Sequence, residues 1–190
     1  IQQFNTHYPA RLAEISPDLR SVVLSAKLKY DFTEEVFKEL IRQYQTTHNP
    51  DFKDDVRVAL TSVRQASAGQ RLIELLDDRT VIKNQDLSAW FVMILRNRQF
   101  KDLAWQWLKA NFAKLRQTFS ENKDYADFAL YAGAVLYTEQ DLAEYEQLLA
   151  PYRDDLALTR IIEVGISDIK LRNELFKRDA QAVKTKLKAM

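Results

Sequence analysis

The sequence predicts an all-α fold, an irregular HEAT- or armadillo-like superhelix of about ten helices. Glycine and proline number only 3 and 4 among 190 residues, and helices tolerate such scarcity better than sheets linked by tight turns do. Apolar residues recur at intervals of three and four through most of the chain, which is the spacing of one helix face. Helix pairs recur at roughly 35 to 40 residues, as in helical-repeat arrays.

The stretch 100–119, FKDLAWQWLKANFAKLRQTF, gives the clearest helical pattern. It contains no Gly or Pro, and an apolar stripe at helical spacing runs from Phe100 to Phe119. Trp105 and Trp107 lie about 160° apart around the helix axis, one on each flank of that stripe. Because a surface helix buries only one narrow face, this helix is expected to have neighbours on both sides.

Six helices are predicted before this stretch, from start signals and apolar faces. Ser16 supplies an N-cap, and Pro17 follows it in the first turn. Thr33 precedes two acidic residues, which suit the positive end of a helix dipole. The predicted ranges are 4–15, 16–30, 33–44, 51–63, 67–76 and 85–95.

Four further helices are predicted after the stretch 100–119. The range 125–136 is almost uncharged, and Gly133 is expected to permit close packing. Thr138 begins another capped, acidic helix, and Asp154 or Asp155 begins a long one through Phe176. The range 179–190 is predicted as a separate, basic amphipathic helix. Together, residues 1–190 are expected to form a single helical segment.

The overall composition limits which kinds of partner and which cellular compartment are expected for this chain. Lys+Arg 28 against Asp+Glu 27 gives a net charge of +1, so no overall field draws the chain to nucleic acid or to an anionic membrane. No apolar run reaches the length of a membrane span, and no signal peptide is recognised. The absence of cysteine excludes disulfides and favours a reducing, cytoplasmic location. Because the chain opens at Ile1 rather than Met, it is expected to be a piece of a longer protein.

No catalytic or metal centre is predicted within this chain. The two histidines, His7 and His48, have no Glu partners at the His-Glu-x-x-His spacing of a zinc site. No Gly-rich phosphate loop, Gly-x-Ser-x-Gly elbow or cysteine nucleophile occurs. Paired acidic residues lie at helix starts or in breaks, where dipole complementarity explains them. The basic residues Arg96 and Arg98 are interpreted as part of a solvated face, and the tryptophans as core.

Ordered motifs nevertheless resemble those of a known family. The motifs are IKNQD at 82–86, Arg96-Asn97, LAWQWLKANFAKL at 103–115, YTEQDL at 137–142, and Glu163 followed by Ile169. In order and spacing they resemble the C-terminal helical domain of the M1 (gluzincin) zinc aminopeptidases, the aminopeptidase N type. The chain departs from the family pattern at three positions. Phe112 and Leu171 stand where the family usually has Trp, and Gln99 follows Arg-Asn where Pro-containing turns are common.

The resemblance implies a parent enzyme that removes N-terminal residues from peptides at a zinc site. The zinc-binding and substrate-amine motifs would lie in an upstream catalytic domain of the same chain. The C-terminal domain would be a non-catalytic, HEAT-like bowl that closes over the active site and limits peptide access. The implied partners are therefore that catalytic domain and the peptide substrate, with no zinc in this segment.

Arg96, at the family's Arg-Asn turn, is the candidate substrate-binding residue. Its guanidinium could attract a peptide carboxylate; the alternative is a surface arginine that caps a helix C-terminus.

Two other functions stay open from the sequence. A stand-alone HEAT-type adaptor would hold a partner protein on a concave face. An RNA-binding helical repeat is disfavoured by the near-zero net charge.

Overall fold

The computed structural model describes residues 1–188, and within that range it contains ten α-helices and no strand. The all-α prediction is confirmed, while the HEAT-like arrangement stays a prediction. The helices are α1 (Gln2–His7), α2 (Pro17–Tyr30), α3 (Glu34–Thr46), α4 (Pro50–Thr61), α5 (Ala66–Leu75), α6 (Asn84–Arg96), α7 (Lys101–Thr118), α8 (Tyr125–Val135), α9 (Glu139–Leu149) and α10 (Thr159–Lys188), with 3₁₀ turns at Leu12–Glu14 and Ala150–Tyr152. The chain divides into two compact units, Ile1–Trp107 and Leu108–Met190, and the prediction of a single segment stays a prediction.

Most predicted helix starts are found within two residues. Two predictions are wrong. The range 4–15 is not one helix but contains the end of α1 and the 3₁₀ turn at Leu12–Glu14, and the long helix predicted from Asp154 or Asp155 begins at Thr159.

Side chains cap the starts of α3, α4 and α9, and at α4 the Asn49 side chain accepts from the Phe52 amide at 3.1 Å. The Thr33 hydroxyl accepts a hydrogen bond from the Val36 amide at 3.3 Å. At the start of α9, the Thr138 hydroxyl accepts from the Asp141 amide at 2.9 Å, and the Asp141 carboxylate accepts from the Thr138 amide at 3.0 Å. This reciprocal capping box satisfies two of the backbone donors that a helix start leaves unpaired. At α2, Pro17 follows Ser16 as predicted, although the Ser16 side chain makes no capping bond.

The first unit is built around α4, which packs against α2, α3 and α6. The N-terminal part of α7 also belongs to this unit. Trp105 and Trp107 are only 2% and 6% exposed, which confirms that α7 has neighbours on both flanks. The Trp107 indole donates to the Asp77 carboxylate at 2.9 Å. The fully buried apolar core of this unit includes Leu24, Leu28, Leu40, Val56, Leu60, Leu72, Leu87, Trp90, Phe91 and Ile94.

In the second unit, α10 packs against α8 and α9 at very close range. A Cβ added at Gly133 would lie 2.8 Å from the Gly165 Cα atom, and one added at Gly165 would lie 2.3 Å from the Tyr145 hydroxyl. These distances confirm that Gly133 permits close packing. They also show that Gly165, on the facing helix, is required for the same contact.

The prediction that residues 179–190 form a separate last helix is wrong. The chain forms one continuous helix, α10, from Thr159 to Lys188, and residues 189–190 lie outside the described range. No Gly or Pro follows Gly165, and Asp179 pairs with Arg178 on the exposed surface at 2.7 Å, so no helix breaker acts there. Among the helices described, α10 included, none is both long enough and apolar enough to cross a bilayer.

Candidate functional site

Arg96 is the last residue of α6, and its exposed side chain lines a cavity of about 530 Å³ in the first unit. The cavity forms where three helices end. Lys29 comes from the last turn of α2, and Thr61 is the last residue of α4. The lining residues are Lys29, Val58, Thr61, Ser62, Arg64, Met93, Arg96, Asn97, Arg98 and Gln99.

Asn97 fixes the turn that carries Arg96. Its side-chain Nδ2 donates to the Thr61 and Val63 carbonyl oxygens, both at 2.9 Å. Its Oδ1 accepts from the Gln99 amide at 3.1 Å. The amide thus satisfies carbonyl groups that the end of α4 leaves without intrahelical partners, and it ties the end of α6 to the end of α4. The Arg-Asn pair therefore combines a structural asparagine with a solvent-facing arginine.

Four cationic side chains line this cavity: Lys29, Arg64, Arg96 and Arg98. No carboxylate is among the lining residues, and within residues 1–188 none of the four has an acidic side chain within ion-pair distance. Lys29 and Arg64 instead contact the Tyr30 ring, with the Lys29 Nζ and Arg64 Cζ atoms 5.8 and 5.2 Å from its centre. The site is thus a cluster of uncompensated positive charge.

Helix dipoles reduce this charge without cancelling it. Each helix C-terminus is equivalent to about −0.5 elementary charge, so three ends contribute about −1.5 against four positive charges. The guanidinium of Arg96 donates no hydrogen bond to any carbonyl of the described residues, in contrast to Arg79, which donates to the Leu76 carbonyl at 2.6 Å. Arg96 is therefore available to an anionic ligand.

The sequence points to Arg96 but gives no sign that Lys29 and Arg64 line the same cavity. Those two residues lie 67 and 32 positions before Arg96, and no local pattern links them to it. Only the packing of α2, α4 and α6 brings the three helix ends together. Arg98 was noticed, but as part of a solvated face.

The lining of the cavity is cationic and contains neither histidine nor carboxylate. Both of its hydroxyl groups donate to backbone carbonyls, Thr61 to Arg57 at 2.9 Å and Ser62 to Ala59 at 2.7 Å. Across residues 1–188, no group of three or more His, Asp or Glu side chains could hold a metal ion. His7 Nδ1 instead lies 2.8 Å from the Gln3 carbonyl oxygen. The residues present therefore do not fit a zinc site.

A second polar cluster, in the unit Leu108–Met190, is already internally paired. Arg116 Nη2 lies 2.7 Å from Asp155 Oδ2, and the Tyr125 hydroxyl donates to the same oxygen at 2.8 Å. Burial acts to raise the pKa of Asp155, but the hydrogen bonds from Arg116 and Tyr125 outweigh it and lower that pKa. Arg116 also lies 4.3 Å from the centre of the Tyr152 ring. This arrangement is a structural contact that ties α7 and α8 to the turn before α10.

Comparison with known proteins gives a consistent assignment. The family model for the ERAP1-like C-terminal domain matches residues 1–171. Aminopeptidase N of Lactococcus lactis subsp. cremoris is 31% identical over 182 residues, which cover 96% of this chain and 21% of that protein. Aminopeptidase N of Lactobacillus helveticus is 27% identical over 181 residues, covering 95% and 21%.

A mammalian relative gives a similar match. Glutamyl aminopeptidase of Mus musculus is 25% identical over 172 residues, which cover 90% of this chain and 18% of that protein. The chain thus spans about a fifth of the length of these curated relatives, in their C-terminal portion. The resemblance inferred from the motifs is confirmed: the chain belongs to the family of ERAP1-like C-terminal domains, the C-terminal domain of M1 aminopeptidases.

Proposed function

We propose that this chain is a non-catalytic C-terminal segment of an M1 zinc aminopeptidase whose catalytic domain hydrolyses N-terminal residues from peptides. The observation that carries the proposal is the family match over residues 1–171, together with relatives named aminopeptidases that extend far beyond the matched part. The zinc and the reacting groups are assigned to an upstream catalytic domain of the same polypeptide. No observation favours a stand-alone adaptor over this assignment. A cytoplasmic location, predicted from the absence of cysteine, is part of the proposal.

The proposed role of the segment is to close over the active site and limit which peptides enter. The cavity at the ends of α2, α4 and α6 supports a direct contact with substrate, because its four cations have no acidic partner within the described residues. Arg96 is proposed to attract the carboxyl end of the peptide, since a guanidinium binds a carboxylate through two parallel hydrogen bonds.

The test compares an aminopeptidase that carries this chain with the same enzyme lacking it. The substrates are an aminoacyl anilide and a series of peptides of increasing length. We expect hydrolysis of the anilide to persist without the segment, while the dependence of kcat/KM on peptide length becomes flatter. The isolated 190-residue chain is expected to be inactive with added zinc. An unchanged length dependence, or stoichiometric zinc binding by the chain alone, would contradict the proposal.

A further inference from the structure

We propose that the cavity at the ends of α2, α4 and α6 is a dianion site, and that the peptides it selects end in aspartate or glutamate. This inference rests on the proposed function, which brings a peptide to this surface. It goes beyond the single contact assigned to Arg96, because it names the substrate class from the total charge of the site.

The net positive charge of the cavity determines how many negative charges of a ligand it can neutralise. Four cations and three helix ends leave a net charge of about +2.5, since each helix end is equivalent to about −0.5. A single carboxylate would leave about +1.5 of that charge uncompensated, whereas two carboxylates would leave about +0.5. A C-terminal aspartate or glutamate supplies two carboxylates on one residue. The cavity is therefore better matched to an acidic last residue than to a neutral one.

The hydrogen-bonding groups favour the same class of ligand. Three of the four cations are arginines, and each guanidinium can bind a carboxylate in a bidentate manner. Arg96 and Arg98 flank Asn97, whose side chain is held by hydrogen bonds to the Thr61 and Val63 carbonyls. The backbone that carries the two arginines is thus fixed before a ligand arrives, which lowers the entropic cost of binding.

The size and lining of the cavity distinguish a peptide end from a free inorganic anion. A volume of about 530 Å³ falls within the range of small-molecule sites and exceeds what one phosphate ion would fill. Val58 and Met93 add apolar surface between the charged groups, which suits the methylene groups of an acidic side chain. Free phosphate has no group to cover that surface.

The experiment is a calorimetric titration, at low ionic strength, of an aminopeptidase that carries this chain, with three peptides whose blocked N-termini prevent hydrolysis. Acetyl-Ala-Ala-Glu carries two negative charges, acetyl-Ala-Ala-Gln carries one, and the Gln amide carries none. We expect the Glu peptide to bind about fivefold more tightly than the Gln peptide, the factor that one solvent-exposed ion pair supplies. The amide should bind most weakly, and added salt should reduce the difference.

Substitutions test whether the arginines of the cavity cause the preference for the Glu peptide. Arg96→Gln and Arg98→Gln should each reduce the preference for the Glu peptide by about twofold or more, because each removes one partner of a two-charge ligand. Arg71→Gln is the matched control, since Arg71 lies outside the cavity and pairs with Glu74 at 2.9 Å. That control should bind both peptides as the unsubstituted chain does. Circular dichroism of each variant establishes that its helices are intact.

Two results would overturn the inference. Equal affinity for the Glu and Gln peptides would show that the second charge is not recognised. Inorganic phosphate that binds as tightly as the Glu peptide, and is lost in the same variants, would show a site for free anions. The proposed function fails separately, through an unchanged dependence on peptide length in the truncated enzyme.

Discussion

The side-chain amide of Asn97 lies 2.9 Å from the carbonyl oxygen of Thr61. This hydrogen bond joins the ends of α6 and α4, and a second bond from the same nitrogen reaches the Val63 carbonyl at 2.9 Å. The two arginines that flank Asn97 owe their position to this contact. The structural and the proposed binding roles of the Arg-Asn turn can therefore be tested separately.

Asn97→Ala should destabilise the chain by about 1 to 3 kcal/mol, because it leaves two partly buried carbonyl groups without a donor. Urea unfolding followed by circular dichroism measures the change. Asn122→Ala is the matched control: the exposed Asn122 side chain donates to the Asp124 carboxylate at 2.6 Å and accepts from the Asp124 amide at 3.4 Å, and both groups are open to water, so its loss should cost less than about 0.5 kcal/mol. Equal stability losses in the two variants would show that Asn97 does not hold the turn.

Tyr44→Phe should destabilise the first unit by about 1 to 3 kcal/mol, since it removes the hydroxyl that accepts the hydrogen bond of a buried indole. The Trp90 Nε1 donates to the Tyr44 hydroxyl at 2.8 Å, and that hydroxyl donates to Asp86 at 3.2 Å. Tyr30→Phe is the control, because Tyr30 is 68% exposed. A loss in the control as large as that of Tyr44→Phe would refute the importance of this network.

Tyr44 also predicts a stability change at high pH. Burial raises its pKa from 10.0 to about 12, so the folded state holds the phenol proton more tightly than the unfolded state does. The contribution of the neutral phenol is complete below about pH 10 and is lost as the pH rises through about 12, by about 2 to 3 kcal/mol in total.

The measurement is urea unfolding between pH 9.5 and 11.5. Tyr44→Phe removes the titrating group, so the free energy of unfolding of this variant should fall less steeply with pH than that of the unsubstituted chain. Parallel pH profiles for the two chains would contradict the raised pKa.

Gly165→Ala should destabilise the second unit by about 1 to 3 kcal/mol through overpacking. The new Cβ would lie 2.3 Å from the Tyr145 hydroxyl, and Tyr145 is fully buried, so the ring has little room to move. At an open helix position the same change would stabilise by about 1 kcal/mol through helix propensity. The sign of the change in unfolding free energy therefore decides whether α10 packs this closely.

Lys123→Gly should stabilise the chain by about 0.5 to 1 kcal/mol. Lys123 has a φ of 64°, in the left-handed region that costs a residue with a Cβ about 1 to 2 kcal/mol. Glycine adopts this conformation without that cost, although it loses more backbone entropy on folding. Lys123→Ala keeps the Cβ and should give no such gain; equal stabilisation by both substitutions would mean that φ is not the cause.

The sequence predicted local features of the fold well, since those features depend on residues close together in the chain. The capped helix start at Thr138 and the close packing at Gly133 were both found. The continuity of α10 was missed, although no Gly or Pro near Asp179 interrupts the helix. The cavity was predicted only through Arg96, since Lys29 and Arg64 reach it from other helices.

The most direct test of the central claim uses an aminopeptidase that carries this chain. The measured quantity is the ratio of kcat/KM for a peptide with a free C-terminal carboxylate to that for the same peptide amidated. We predict that Arg96→Gln lowers this ratio by about threefold to fivefold, the worth of an exposed ion pair, and that Arg71→Gln leaves it unchanged. A ratio that is the same in the unsubstituted enzyme and in Arg96→Gln would contradict the claim that this segment meets the carboxyl end of the substrate.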